Sequence, residues 1–163
     1  MSWSERRALL AALGGALLAG CGFQLREPPK MAFTSIALVG FAPRSALGEE
    51  LKKSLAKDVR VIDRPAEAEV VLHVIADERT KSVVASTSAA QVREYTLRLR
   101  FSFRAETPGG RELIAPAELL LSRDLSYSEN FALAKEQEEN ELYREMQSDV
   151  VSQVLRRLAS LKV

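Results

Sequence analysis

The sequence predicts an α+β fold, a two-layer α/β sandwich in which a mixed or antiparallel sheet of about four strands carries two helices on one face. Two patterns support this fold class. Within residues 93–106, the side chains from Tyr95 to Arg104 alternate strictly between apolar and polar, which is typical of a long strand with one buried and one wet face. Residues 132–161 place apolar side chains at steps of three and four, which predicts a long amphipathic helix.

The first elements of the domain are a strand and a helix. Residues 33–41 form a short β-branched and apolar run, which predicts the first strand. Over residues 44–58 the leucines recur at four-residue steps, so one face of a helix is apolar, and Ser45 is positioned as its N-cap. Residues 59–63 then predict a brief extended piece.

The middle of the chain predicts a set of hairpins. Residues 69–85 are rich in Val and Ile and form a strand, and residues 86–91 are small and polar, as in a hairpin tip. After the alternating strand, Pro108-Gly109-Gly110 turns the chain. Residues 111–128 return as its partner strand, and Pro116 within it favours a bulge or an edge position.

The N-terminus has the form of an export signal. Arg6 and Arg7 precede the apolar run 8–20, which is shorter than the roughly 20 residues that span a bilayer. The run ends in Leu-Ala-Gly-Cys, which resembles the bacterial lipobox. This resemblance implies that residues 1–20 are removed as a lipoprotein signal peptide and that Cys21 becomes the acylated first residue. Residues 21–32, which contain two adjacent prolines, then form a lipidated tether, and residues 33–163 form a single domain.

Composition narrows the function further. Cys21 is the only cysteine of the 163 residues, so there is no intramolecular disulfide and no second thiol for a metal or a nucleophile. Loss of residues 1–20 leaves equal numbers of basic and acidic side chains, so the mature chain has no overall field that attracts nucleic acid. Gly22 stands where an aspartate would retain a lipoprotein in the inner membrane of enteric bacteria, which favours the outer membrane.

The search for catalytic residues predicts no enzyme and no cofactor. The single histidine, His73, falls inside an apolar strand, and we interpret it as a packed or edge-exposed strand residue. Four glutamates crowd the start of the long helix. They suit the positive end of its dipole, while a glycosidase-type acid pair stays open as an alternative; they are Glu136, Glu138, Glu139 and Glu141.

Basic residues cluster on the alternating strand. Arg98, Arg100 and Arg104 point away from its aromatic face, and with Arg93 and Lys81 near the hairpin tip they predict a basic sheet surface. Two interpretations stay open. The surface is either a solvated face that resists edge aggregation or a site for carboxylate or phosphate groups, which arginine binds in bidentate geometry.

Three segments together resemble a known family. They are "CGFQLR" directly after the lipobox, "EYTLRLRFSF" in the long strand, and residues 122–158 with their "ALAK" run and paired arginines. This combination resembles the LptE (RlpB) family of LPS-assembly lipoproteins. The resemblance implies a small α/β sandwich that sits in the lumen of the LptD β-barrel on the periplasmic side of the outer membrane. It also implies a protein that supports assembly of that barrel and binds lipopolysaccharide during its insertion into the outer leaflet.

The same resemblance suggests binding residues. The lysine with which the family binds lipopolysaccharide aligns with Lys135, and a second basic position aligns with Ser88, for which Lys81 or Arg93 are candidate substitutes. Lys135 has the alternative interpretation of a solvated lysine among glutamates. Two other functions stay open from sequence: an outer-membrane lipoprotein that activates or adapts a periplasmic envelope enzyme, and a periplasmic hydrolase that uses the glutamate cluster.

Overall fold

A computed structural model describes residues 30–86 and 91–162. The signal peptide, Cys21, most of the tether and Ser88 lie outside the described residues. In chain order the elements are β1 (Ser35–Val39), α1 (Ala46–Leu55), β2 (Arg60–Val61), β3 (Val70–Ser86), β4 (Val92–Glu106), β5 (Glu112–Ser126) and α2 (Ala132–Ala159), with single 3₁₀ turns at Pro65–Glu67 and Glu129–Phe131.

The strands form one mixed sheet in the order β2-β1-β3-β4-β5. Strand β1 is parallel to β2 and β3, whereas β3, β4 and β5 are antiparallel hairpin partners. The described residues therefore hold five strands rather than about four, and the extra one is the two-residue β2. The predicted α+β class is confirmed.

Strand β4 forms because its side chains alternate. Its odd-numbered side chains from Leu97 to Phe103 are fully buried and make one face of the sheet apolar. Both helices cover that face, with Leu51 of α1 and Val150 of α2 in the same hydrophobic cluster as Phe101. Each such side chain contributes roughly 1.5–3 kcal/mol by leaving water, so this layer holds the fold together.

Local signals in the sequence act as predicted. The Ser45 hydroxyl accepts the Gly48 N–H at 3.1 Å and caps α1. Strand β5 is an edge strand, and its register against β4 slips between Ala117 and Ile114, where Pro116 lies. Both predicted features of Pro116 are therefore present, because proline has no N–H for the ladder.

Strand β3 is much longer than its neighbour β1. Only its first residues, up to His73, pair with β1, so the second half pairs with β4 on one side alone. This projecting half of β3 lies under the N-terminal part of α2, where Tyr143 donates a hydrogen bond of 3.0 Å to the carbonyl of Thr80. The sequence-predicted lysines lie at this end of the sheet.

Candidate functional site

The arginines of β4 lie on the sheet face opposite the helices, which we call the open face. Arg100 pairs directly with two carboxylates, at 3.0 Å from Glu78 on β3 and 2.9 Å from Glu118 on β5. Hydrogen bonds from Arg100 and Ser102 lower the pKa of the Glu118 carboxyl. The same contacts raise the pKa of Arg100, with the bond to Glu118 as the main cause.

The other two arginines differ from each other. Arg104 is ion-paired with Glu106, and this pairing is the main reason that the pKa of Glu106 is lowered. Arg98 is exposed opposite Ser122 and Thr80, and within the described part of the chain no carboxylate pairs with it. The expected basic surface is thus corrected to a largely charge-balanced one, because the neighbouring strands bring carboxylates that the β4 sequence does not show.

Lys81 does not join these arginines. It lies directly opposite Leu97 in the β3–β4 register, so its side chain is on the face that the helices cover. Its Nζ donates a hydrogen bond of 2.5 Å to Glu139 of α2 and lies 4.2 Å from the centre of the Tyr95 ring. The bond to Glu139 is the main cause of a raised Lys81 pKa. The prediction that Lys81 belongs to the same basic sheet surface as the β4 arginines is therefore wrong.

Lys135 lies in the first turn of α2 and is held by two contacts. Its Nζ is 2.8 Å from Glu138 and 3.0 Å from the hydroxyl of Ser126 at the end of β5. Only 20% of its side chain is exposed, which is less than expected for a solvated lysine at a helix start. Lys135 is therefore oriented by its neighbours.

Lys81 and Lys135 meet in one groove, which we call the tip groove. It has a volume of about 540 Å³ and lies between the projecting half of β3, the end of β5 and the start of α2. Leu133, which is 73% exposed, gives it an apolar lip. The groove thus combines two ammonium groups with carboxylates and apolar surface; its lining is Lys81, Tyr127, Ala132, Leu133, Lys135, Glu136, Glu139 and Asn140.

Arg93 lies nearby but outside the tip groove. Its carbonyl accepts the Tyr127 N–H at 2.8 Å, and the Tyr127 side chain lines the tip groove and packs edge-on against Tyr95. Arg93 itself lines a separate cavity of about 100 Å³ with Ser128 and Asn130. The structure therefore brings Lys81 and Lys135 together, with Arg93 on an adjacent surface.

The glutamates near the start of α2 have another role than expected. Helix α2 begins at Ala132, so its first turn contains no acidic residue and the dipole explanation is wrong. Glu138, Glu139 and Glu141 instead pair with Lys135, Lys81 and Arg144, respectively. Sequence reasoning missed Glu139 and Tyr127 as groove residues, because their neighbours come from distant strands.

His73 lies on an interior strand, between Val39 of β1 and Arg104 of β4. Its Nε2 is 2.9 Å from Glu106, so it belongs to the charged cluster of the open face. Among residues 30–86 and 91–162, no group of His, Cys, Asp and Glu is arranged to hold a metal ion. No helix in this described part is long and apolar enough to cross a membrane.

Two solved structures share this architecture. The uncharacterized lipoprotein B of Nitrosomonas europaea is 26% identical with a TM-score of 0.72, and the match covers 85% of this chain and 91% of that one. The rare lipoprotein B of Shewanella oneidensis is 25% identical with a TM-score of 0.65, covering 78% and 95% of the two chains.

Sequence comparison points the same way. The chain is 26% identical to the LPS-assembly lipoprotein LptE of Pectobacterium atrosepticum, over 96% of this chain and 88% of that protein. It is 29% identical to the protein of the same name in Yersinia enterocolitica, over 94% and 76%. The model of the lipopolysaccharide-assembly family LptE matches residues 33–158, well over half of the chain. The chain therefore belongs to the LptE family of lipopolysaccharide-assembly lipoproteins.

Proposed function

We propose that this protein is an outer-membrane lipoprotein, anchored through Cys21, that plugs the LptD β-barrel from the periplasmic side. In this role it supports barrel assembly and binds lipopolysaccharide during insertion into the outer leaflet. The observation that carries the proposal is the family match over residues 33–158, which extends from the start of the domain almost to the end of α2.

The open face supports the plug. Outer-membrane barrels have polar interiors, so a protein that packs inside one needs a surface whose charges are already compensated. Arg100, between Glu78 and Glu118, supplies such compensation at the centre of the open face. Leu120, directly opposite Arg100 on β5 and 60% exposed, adds apolar contact area.

The tip groove supports contact with lipopolysaccharide. Lipid A carries phosphates beside acyl chains, so its binding site needs cations next to apolar surface. Lys81 and Lys135 provide the ammonium groups, and the exposed side chains of Leu133 and Phe131 lie at the start of α2. Glu138 and Glu139 pair with these lysines and hold them in place.

Co-purification tests the plug. Tagged full-length protein, extracted from membranes with mild detergent, is expected to bring a large outer-membrane β-barrel with it. A Cys21→Ser variant tests the anchor, because the protein without acyl chains should be recovered outside the membrane fraction. Recovery of a periplasmic enzyme instead of a barrel would contradict the plug and favour the adaptor function.

Direct binding tests the tip groove. Lys135→Asp and Lys81→Asp should each weaken lipopolysaccharide binding by the full-length protein. Lys57→Asp is the matched control, because Lys57 is exposed just after α1 and lies outside the tip groove. Thermal unfolding of each variant separates lost binding from lost fold. Wild-type binding by both tip-groove variants would refute this part of the proposal.

A further inference from the structure

A second groove lies between the two helices, and we call it the inter-helix groove. It has a volume of about 760 Å³, with one face of α1 and one face of α2 as its walls and Arg79 of β3 among its lining residues. Arg79 lies opposite Leu99 in the β3–β4 register, so its side chain points toward the helices. Arg79 does not line the tip groove, so the function proposed for that groove does not account for it.

The charge of Arg79 is oriented but not neutralised. Its Nη2 donates a hydrogen bond of 2.5 Å to Oε1 of Gln147, and its guanidinium carbon lies 5.1 Å from the centre of the Tyr143 ring. Within the described residues no carboxylate pairs with Arg79. Because a guanidinium has five N–H donors, most of them remain available to a ligand.

Gln147 is a buried side chain that links Arg79 to Glu50. It is only 4% exposed, and burial of an amide is costly unless both of its ends are bonded. Its oxygen accepts from Arg79, and its Nε2 donates to Oε2 of Glu50 at 3.1 Å. These two bonds fix the direction in which the amide oxygen points and thereby hold the guanidinium in one position.

A second cation, Lys53, lines the groove beside Arg79 and pairs with no carboxylate in the described part of the chain. Lys53 of α1 and Arg144 of α2 line the groove together with Arg79, against the carboxylates of Glu49 and Glu50 on α1. Arg144 pairs with Glu141 of the same helix at 2.8 Å, which leaves Arg79 and Lys53 as the lining cations that pair with no carboxylate within the described residues. Glu50 is also engaged by Gln147, which leaves Arg79 as the oriented charge within reach of a ligand.

We propose that Arg79 anchors a phosphate-monoester site in the inter-helix groove. An arginine fork binds two phosphate oxygens at once, and the neighbouring Lys53 suits the second negative charge of a monoester. Asn140 lines both this groove and the tip groove, so the two sites are contiguous. The phosphate site is argued from the groove itself. Only the identification of its ligand as a phosphate of lipid A rests on the proposed function.

Calorimetric titration of the full-length protein in neutral detergent tests this site. The probes are glucosamine 1-phosphate, lipid A with its phosphates, and dephosphorylated lipid A. Arg79→Gln should weaken binding of phosphorylated lipid A by about tenfold, the value of one charge-assisted bidentate contact. It should leave binding of the dephosphorylated lipid unchanged. Arg156→Gln is the matched control, because Arg156 is an exposed arginine of α2 outside both grooves.

Two further variants keep the test independent of folding. Arg79→Lys retains the charge but not the fork, so its binding should lie between those of the wild type and Arg79→Gln. Gln147→Met keeps Arg79 but removes the hydrogen bond that orients its guanidinium. This variant should weaken binding of phosphorylated lipid A and leave binding of dephosphorylated lipid A unchanged. Thermal unfolding identifies any variant that has lost its fold.

The outcomes separate this site from the tip groove. Wild-type affinity of Arg79→Gln and Gln147→Met for phosphorylated lipid A overturns the Arg79 site, whatever Lys135→Asp does. Loss of affinity in Arg79→Gln beside unchanged binding in Lys135→Asp supports this site and refutes the tip groove. Glucosamine 1-phosphate that binds through Arg79 identifies a site for free phosphate monoesters, whereas dependence on Arg79 with lipid A alone identifies a lipid-borne phosphate.

Discussion

The ammonium group of Lys81 lies 2.5 Å from Oε2 of Glu139 and joins the projecting half of β3 to the first half of α2. The same ammonium lies over the Tyr95 ring. This contact has two consequences. First, it stabilises the projecting half of β3, which has no β1 neighbour. Second, it controls how much of the Lys81 charge is available in the tip groove.

Glu139→Gln should lower the free energy of unfolding at neutral pH by up to about 1 kcal/mol, the range of partly exposed ion pairs. The bond to Glu139 raises the Lys81 pKa, so its stabilising effect is complete below the ordinary lysine pKa of about 10.4. The effect is lost as the pH rises through the raised value. Urea denaturation between neutral and strongly alkaline pH should show this loss in the wild type and a smaller one in the variant.

Glu141→Gln is the control for this prediction. Glu141 pairs with Arg144 three residues later on the same exposed helix face, so its removal should leave the alkaline loss of stability unchanged. An identical alkaline profile for the wild type and Glu139→Gln would contradict the assigned role of the Lys81–Glu139 contact.

Arg100→Met should return the pKa of Glu118 toward its ordinary value. The lowered pKa of Glu118 means that its contribution to stability is present above the ordinary glutamate pKa of about 4.3 and is lost as the pH falls through the lowered value. NMR titration of the Glu118 carboxyl in the two proteins measures the change. Arg98→Met is the control, because Arg98 has no carboxylate partner within the described residues, and it should leave the Glu118 titration unaltered.

Leu99→Ala and Leu120→Ala should differ greatly in cost. Leu99 is fully buried under the helices, so its truncation should cost about 2–5 kcal/mol of unfolding free energy. Leu120 is on the open face of the neighbouring strand, and its loss should change stability by no more than about 0.5 kcal/mol. Urea denaturation of the isolated protein measures both. A large cost at Leu120 would mean that the open face is covered in the isolated protein.

Ser45→Ala should destabilise the domain by about 1–2 kcal/mol, because it removes the cap of α1. It also removes a hydrogen bond of 2.7 Å from the Ser45 hydroxyl to Asp77 on β3. Ser152→Ala is a matched change at an exposed position within α2 and should have little effect. Combining Ser45→Ala with Asp77→Asn should cost less than the sum of the two changes, since the partners share one bond.

The elements of the fold were largely predictable from the sequence because their signals are local. Alternation fixed β4, leucine spacing fixed α1, and Pro116 marked both the bulge and the edge of the sheet. The two-residue β2 became a strand only through parallel pairing with β1, which is a contact between distant segments. Its short sequence therefore indicated no more than an extended piece.

The site was less predictable, because it depends on which side chains are brought together. The arginines of β4 predict a basic surface when that strand is considered alone. Their carboxylate partners arrive on β3 and β5, so Glu78 and Glu118 become visible only in the assembled sheet. The Arg79–Gln147–Glu50 arrangement likewise joins β3, α2 and α1 across the helix layer.

By itself, the sequence determined the kinds of elements, their order and the family resemblance of the chain, because periodicity and short motifs are properties of neighbouring residues. The tertiary structure decided which charges are paired and which remain available. Lys81 lies opposite Leu97, while its neighbour Thr80 lies opposite Arg98. A register shifted by one residue would exchange the two faces of β3, and long-range packing of the helices on the sheet selects the observed register.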